Sequence, residues 1–156
     1  MHVRKAQESD LEALIIMNLE LHNIHHRERP EEFKNLSSDD VRSSLGNLLT
    51  HEDYEILVCL EGEELIGYVL SRVESRKENP VQTARQHFYI DQIDVKREYR
   101  RQGAGKLLIN ATRERAKKRG IEVIVLDVWN FNEGAVAFFK SQGFSPWIQR
   151  MGITVD

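Results

Sequence analysis

Apolar residues at Leu11, Leu14, Ile15, Leu19 and Leu21 recur at helical spacing, and Ser9 with Glu12 is spaced as a capping box for the helix they predict. A short strand, HVRKA, precedes it. SSDDVRSSLGNLL predicts a second helix beginning at Ser37 or Ser38, with Asp39 and Asp40 in the turn where the dipole favours negative charge. From Tyr54 the pattern changes to dense apolar runs. YEILVCLEGEELIGYVLSRVE predicts two strands reversing at Glu61-Gly62-Glu63, followed by a polar loop over residues 75–85. QHFYIDQIDV resumes strand character. GAGKLLINATRERAKKRG predicts an amphipathic helix closed by Gly120, IEVIVLDVW a buried strand of the parallel kind, and NEGAVAFFKSQG a helix ended by Gly143. FSPWIQRMGITV predicts a last strand. A hairpin half followed by a strand–helix–strand half implies one mixed α/β sheet flanked by helices.

At 156 residues the chain suits a single domain, read as 1–156. Its net charge of −3 argues against a general nucleic-acid binder, which normally carries a basic excess. Cys59 lies in the apolar run ILVCL, where a core thiol is expected and no internal disulfide can form. Asp10, Glu12 and Glu20 stand where a secretory leader would be basic, and no window has the apolar length of a membrane span, so the reading is a cytoplasmic protein.

YRRQGAGK, residues 99–106, joins a strand to a helix. Gly103 and Gly105 let the backbone bend and approach a ligand, while the first helical amides carry partial positive charge and lack intrahelical acceptors. Such a turn holds an anion. Arg100 and Arg101 supply donors suited to phosphate oxygens, and Lys106 adds a point charge. Arg100 and Leu107 exclude a Walker loop, and Leu108 excludes the dinucleotide fingerprint. In the preceding strand Phe88 and Ile90 share one parity, Ile93 and Val95 the other, so the alternation slips near Asp91-Gln92. Either a β-bulge interrupts the strand there or both its faces are buried.

IDVKREYRRQGAGKLL is similar to the acyl-CoA motif of the GCN5-related N-acetyltransferases, and VWNFNEGAVAFFKSQGF to their Asn-x-x-Ala segment with its aromatic pair and closing Gly-Phe. The resemblance covers most of the chain. It implies a single-domain fold of that family, a mixed, mostly antiparallel sheet splayed at a central bulged strand. It implies acetyl-CoA as co-substrate, with the amides of Gln102, Gly103, Ala104, Gly105 and Lys106 cradling the pyrophosphate. The main chain of Ile93, Asp94 and Val95 would pair with the pantetheine arm, with Asn132 contacting it from across the gap. Phe139 stands where many members place a tyrosine that protonates the leaving thiolate. A water, another side chain, or direct departure of the thiolate would then serve.

The activity so implied is acetyl transfer to a primary amine, on a small molecule or a peptide, by direct attack in a ternary complex; the alternative is a non-catalytic acyl-CoA sensor or regulatory domain. Asp91 is the first candidate for a general base, with Asp94 and Tyr89 behind it, and a strand-edge structural role for Asp91 stays open. The acceptor is not identified by the sequence. LHNIHHRERPEEF places His22 and His26 at i, i+4, but no third ligand is evident and no metal is expected. Trp129 and Trp147 are read as packing residues among apolar neighbours. Edge strands and the final segment leave room for a homodimer.

Overall fold

A computed structural model describes residues 1–155. The strand-patterned segments line up in chain order as one five-stranded sheet: β1 (His2–Lys5), β2 (Tyr54–Glu61), β3 (Glu64–Arg76), β4 (Arg85–Val95) and β5 (Ile124–Leu126). The first four are antiparallel, and β5 runs parallel to β4. The helices are α1 (Leu11–Glu28), α2 (Ser38–Thr50), α3 (Ala104–Lys118) and α4 (Glu133–Ser141). Side chains alternate across the strands, so each face of the sheet needs its own cover. α1 and α2 bury Leu14, Met17, Val41 and Leu45 against Tyr68 and Leu70 on one face. On the other, Leu108 and Ile109 of α3 and Phe139 of α4 meet Ile66, Val69 and Ile90. Cys59 is fully buried in that second layer, and burial pushes its thiol pKa up, as suits a core thiol.

The second helix begins where its signals place it. Ser37 Oγ accepts from Asp40 N at 3.2 Å, and Asp40 Oδ2 accepts from Ser37 N at 2.9 Å. The first does not: the Ser9–Glu12 capping box does not form. A 3₁₀ turn, Glu8–Asp10, leads into α1, and Asp10 Oδ2 accepts from Gln7 N at 2.7 Å. Asp10 also binds both terminal nitrogens of Arg4 on β1, at 2.6 and 2.9 Å, while Glu12 turns away to Arg42 of α2. A carboxylate held by a forked guanidinium and a backbone amide is the stronger anchor.

The Arg4 bond holds the Asp10 pKa below its ordinary value. A depressed folded pKa gives stability that is present above the unfolded value and lost as pH falls through the folded one. Asp10→Asn should therefore cost about 2 kcal/mol at pH 7. In urea titrations that difference should shrink as pH falls below about 4; an undiminished difference at pH 3 would remove the electrostatic account.

Two strand expectations are corrected. Residues 144–155 form no strand: Pro146 has no N–H to give a ladder, and Ile148, Met151, Ile153 and Val155 are exposed. Within this segment Trp147 lies across His87 and Arg85 at the start of β4, yet stays 58% exposed. β5 is parallel as expected, but only three residues long and half-buried, for a reason that lies in β4.

Candidate active site

Leu70 of β3 pairs with Gln92, and Ser71, the next residue, pairs with Ile90, so Asp91 has no partner across the ladder. That extra residue is the bulge, and it decides the phase slip. Phe88 and Ile90 before it, and Ile93 and Val95 after it, all pack toward the α3 layer. The bulge also ends the sheet locally. β5 pairs with Phe88, Tyr89 and Ile90, and among the described residues no strand lies beside the outer edge of β4 beyond the bulge. Along Ile93 to Val95 that outer edge is therefore left without a ladder partner, although Val95 O is already taken by Arg100 Nε at 2.8 Å.

The chain runs from this edge of β4 through a 3₁₀ turn, Arg97–Tyr99, into the arginine-glycine turn. Leu107 N makes the first intrahelical bond of α3, to Gly103 O at 3.0 Å, leaving the amides of Gly103 to Lys106 ahead of it without helical acceptors. Gly103 holds φ +98°, and a Cβ placed there would meet no atom within 4 Å, so the turn is open on that side. At Gly105 an added Cβ would lie 2.9 Å from the Phe138 ring; this glycine lets α4 close on the helix mouth. Arg101 and Lys106 are exposed, while Gln102 ties its side chain to Glu98 O at 2.7 Å. Arg100 folds back onto β4, donating to Val95 O at 2.8 Å and to Asp94 at 3.1 Å. Its guanidinium thus braces the turn from the strand side, and Arg101 with Lys106 is left to face an anion. An open row of amides with two free cations beside it fits a diphosphate group.

At the bulge, Asp91 binds Arg72 of β3 through Oδ1, and its Oδ2 is buried with no hydrogen-bond partner. Burial raises the Asp91 pKa, an effect that Arg72 partly opposes. Arg72 also lies over the Tyr89 ring at 4.4 Å. Burial and a bond to Asp127, just past β5, push the Tyr89 phenol above its ordinary pKa, so its proton stays on the tyrosine. Asp94 is likewise raised by burial despite Arg100, with Glu20 of α1 adding repulsion. Tyr89, Asp91 and Asp94 therefore share one stretch of β4, but only Asp91 offers an unengaged buried oxygen.

A family model described as the acetyltransferase (GNAT) family matches residues 18–144. The chain belongs to the GNAT family. It is 43% identical over 70 residues to the L-ornithine N5-acetyltransferase of Arabidopsis thaliana, a match covering 41% of this chain and 29% of that protein. It is 32% identical over 103 residues to an uncharacterized N-acetyltransferase of Methanocaldococcus jannaschii, over 62% of this chain and 42% of that one. The chain thus spans less than half the length of these two relatives. Among solved structures, a tetramutant of the BH1408 protein of Bacillus halodurans superposes with TM-score 0.90 at 25% identity, over 99% of this chain and 100% of that one. An aminoglycoside N-acetyltransferase in complex with CoA shares the fold at TM-score 0.80 and 15% identity, over 98% and 93% of the two chains.

Other GNAT motif positions in this chain are committed to structure. Asn132 caps α4, its Oδ1 accepting from Ala135 N at 3.1 Å, which leaves its amide nitrogen as donor. Phe139 packs in the core between Phe138 and Phe144. The three histidines of the α1 end turn to carbonyls: His22 to Lys34 and His26 to Phe33, each at 2.6 Å, and His25 to Leu21 at 2.9 Å. His22 and His26 fasten the α1–α2 loop, and that loop sets Phe33 against Trp129, which stacks on Phe131 beyond β5. The sequence reading missed a polar triad beneath the bulge. Gln92 Oε1 accepts from Tyr68 OH at 3.0 Å and from Asn18 Nδ2, and all three side chains lie on the α1 face. An asparagine within the buried stripe of α1, beside Met17, was the available signal. Among the described residues no helix is long and apolar enough to cross a membrane.

Proposed function

We propose that this chain transfers the acetyl group of acetyl-CoA to a primary amine by direct attack in a ternary complex. The observation that carries the reading is the unpaired edge of β4, running from an orphaned carboxylate oxygen at the bulge to an open amide cradle at α3. Support comes from the family and from relatives named as N-acetyltransferases, one of them structurally similar and bound to CoA.

Acetyl-CoA supplies an activated thioester; this chain's residues hold it and handle the proton. The cradle from Gln102 to Lys106, with Arg101, binds the diphosphate, while Ile93 to Val95 pair with the pantetheine arm and Asn132 contacts it from the other wall. An alkylamine has a pKa of ~10.4, so only about one molecule in a thousand is neutral at pH 7. Asp91 Oδ2 takes the ammonium proton, directly or through water. The freed nitrogen lone pair attacks the acetyl carbon, the carbon–nitrogen bond forms, the carbon–sulfur bond breaks with its electron pair leaving on sulfur, and the second proton on nitrogen passes to the departed thiolate or to solvent. Phe139 has no proton to give, and Tyr89 keeps its own against Asp127. With a thiol pKa of ~8.5, the thiolate departs unaided.

CoA should raise the melting temperature, and a panel of polyamines, aminoglycosides, amino acids and short peptides should include at least one amine that releases free thiol from acetyl-CoA. Stabilisation by CoA with no thiol release from any amine would leave an acyl-CoA sensor instead; absence of both effects would reject the site altogether.

A further inference from the structure

Asp91 is the residue that the bulge inserts, so no partner across the ladder fixes its direction. Its side chain is fixed by another route. Arg72 of β3, which stands opposite Tyr89 in the ladder, reaches to the bulge and donates from Nη1 to Asp91 Oδ1. Nη2 of the same group donates to Glu74 Oε1 at 3.3 Å, and the guanidinium carbon lies 4.4 Å from the centre of the Tyr89 ring. A carboxylate on each terminal nitrogen and an aromatic face beneath restrict the guanidinium plane to one orientation. That plane sets the carboxyl: Asp91 Oδ1 is engaged, and Oδ2 is buried without a partner. Tyr89, the floor of the arrangement, is itself tied to Asp127 past β5. The titratable groups around Asp91 are thus Arg72 and Glu74 from β3 and Tyr89 from β4, with Asp127 beyond Tyr89, and Arg72 is the cation among these four.

We propose that Arg72 is the positioning residue of the proton transfer: one guanidinium holds Asp91 Oδ1 and so presents Oδ2 to the ammonium of the acceptor. The inference rests on the acetyltransferase reading above and deepens it. No bond to Arg72 forms or breaks in the reaction; it acts through Asp91. Its charge has a second effect. Burial raises the Asp91 pKa, the Arg72 charge and hydrogen bond oppose that rise, and Glu74 adds to it. Without the arginine the carboxyl would keep its own proton to higher pH, and a protonated carboxyl takes none from an amine.

Two substitutions separate charge from fork. Arg72→Met keeps a long side chain and removes the charge, while Arg72→Lys keeps the charge and removes the planar pair of donors. Arg72 is part exposed, so both proteins should fold. In the ligand-free protein, carboxyl-carbon NMR titration of Asp91, assigned with Asp91→Asn, should move up by about one pH unit or more in Arg72→Met and stay close to wild type in Arg72→Lys. With whichever amine of the panel turns over fastest, kcat should fall about 100-fold in Arg72→Met and about tenfold in Arg72→Lys. The rising limb of kcat/KM should follow the titration in each, and stabilisation by CoA should be unchanged. A merely structural brace would lower the melting temperature and leave that limb in place. Asp91 titrating alike in wild type and Arg72→Met, or Arg72→Met with wild-type kcat, overturns the inference while leaving acetyl transfer standing. Thiol release from no amine rejects the acetyltransferase reading instead, and the titration still decides whether Arg72 governs Asp91.

Discussion

Gly103→Val should weaken CoA binding by about 100-fold or more, equivalent to ~2.7 kcal/mol, while the protein still folds. Two effects of the substitution add. At φ +98° a β-branched residue is strained by about 1–3 kcal/mol, and this strain is borne by the turn itself. The new side chain then projects into space where no protein atom lies within 4 Å, which in the proposed cradle is where the diphosphate would approach. Bulk there displaces a diphosphate from the helical amides, each of which contributes only when it can be approached closely. Strain alone should lower the melting temperature by about 3–10 °C.

Gly120→Val separates the two effects. It has φ +68° and equally open surroundings, but sits at the opposite end of α3, on the order of 20 Å away at 1.5 Å per residue. It should show the thermal loss and keep wild-type CoA affinity. Calorimetric titration of both variants reads the comparison, and a Gly103→Val protein that binds CoA like wild type would remove the cradle from the site.

The features that the sequence showed in advance are those set by neighbours along the chain. The slip between Ile90 and Ile93 needs only four residues to be seen, and the ladder register turned it from one of two readings into a bulge at Asp91. The α2 cap and the Glu61-Gly62-Glu63 reversal are equally local. What stayed hidden depends on pairs brought together by the sheet. Asp10 displaces the Ser9–Glu12 box because β1 delivers Arg4 to it. Arg72 meets Asp91 only after the bulge has advanced β4 by one residue, and Asp94 draws Arg100 inward, away from the anion side that its sequence context suggested. Phe33 and Trp129 are nearly a hundred residues apart, and their contact depends on histidines latching a loop. A cavity beside Gln92, lined by Leu36, Leu45, Leu48 and Leu70 together with Asp40 and Ser44, was beyond reach for the same reason: these residues come from α2, the α1–α2 loop and β3, and none marks a pocket by itself.

Asp91→Asn should lower kcat by about 10²- to 10⁴-fold, the span expected for loss of a general base, with CoA affinity retained. The substitution keeps the side-chain shape and the polar contact to Arg72, and Arg72 still has Glu74 at 3.3 Å, so no cation is stranded. Because burial lifts the Asp91 pKa above the ordinary carboxylate value, wild-type kcat/KM should rise with pH through a limb displaced upward from about 3.9. The Asn variant should lack that limb and keep only the rise that follows the amine's own deprotonation. Stability carries the opposite sign. A raised folded pKa favours the protonated carboxyl, so its contribution is complete below the unfolded pKa and is lost as pH rises through the folded one. The Asn variant, which has no such ionisation, should therefore gain on wild type in denaturation midpoint between acid and neutral pH. Measuring both profiles on one pair of proteins separates base from brace: unchanged kcat with the stability crossover present would leave Asp91 a purely structural partner of Arg72, and another group would then have to take the proton.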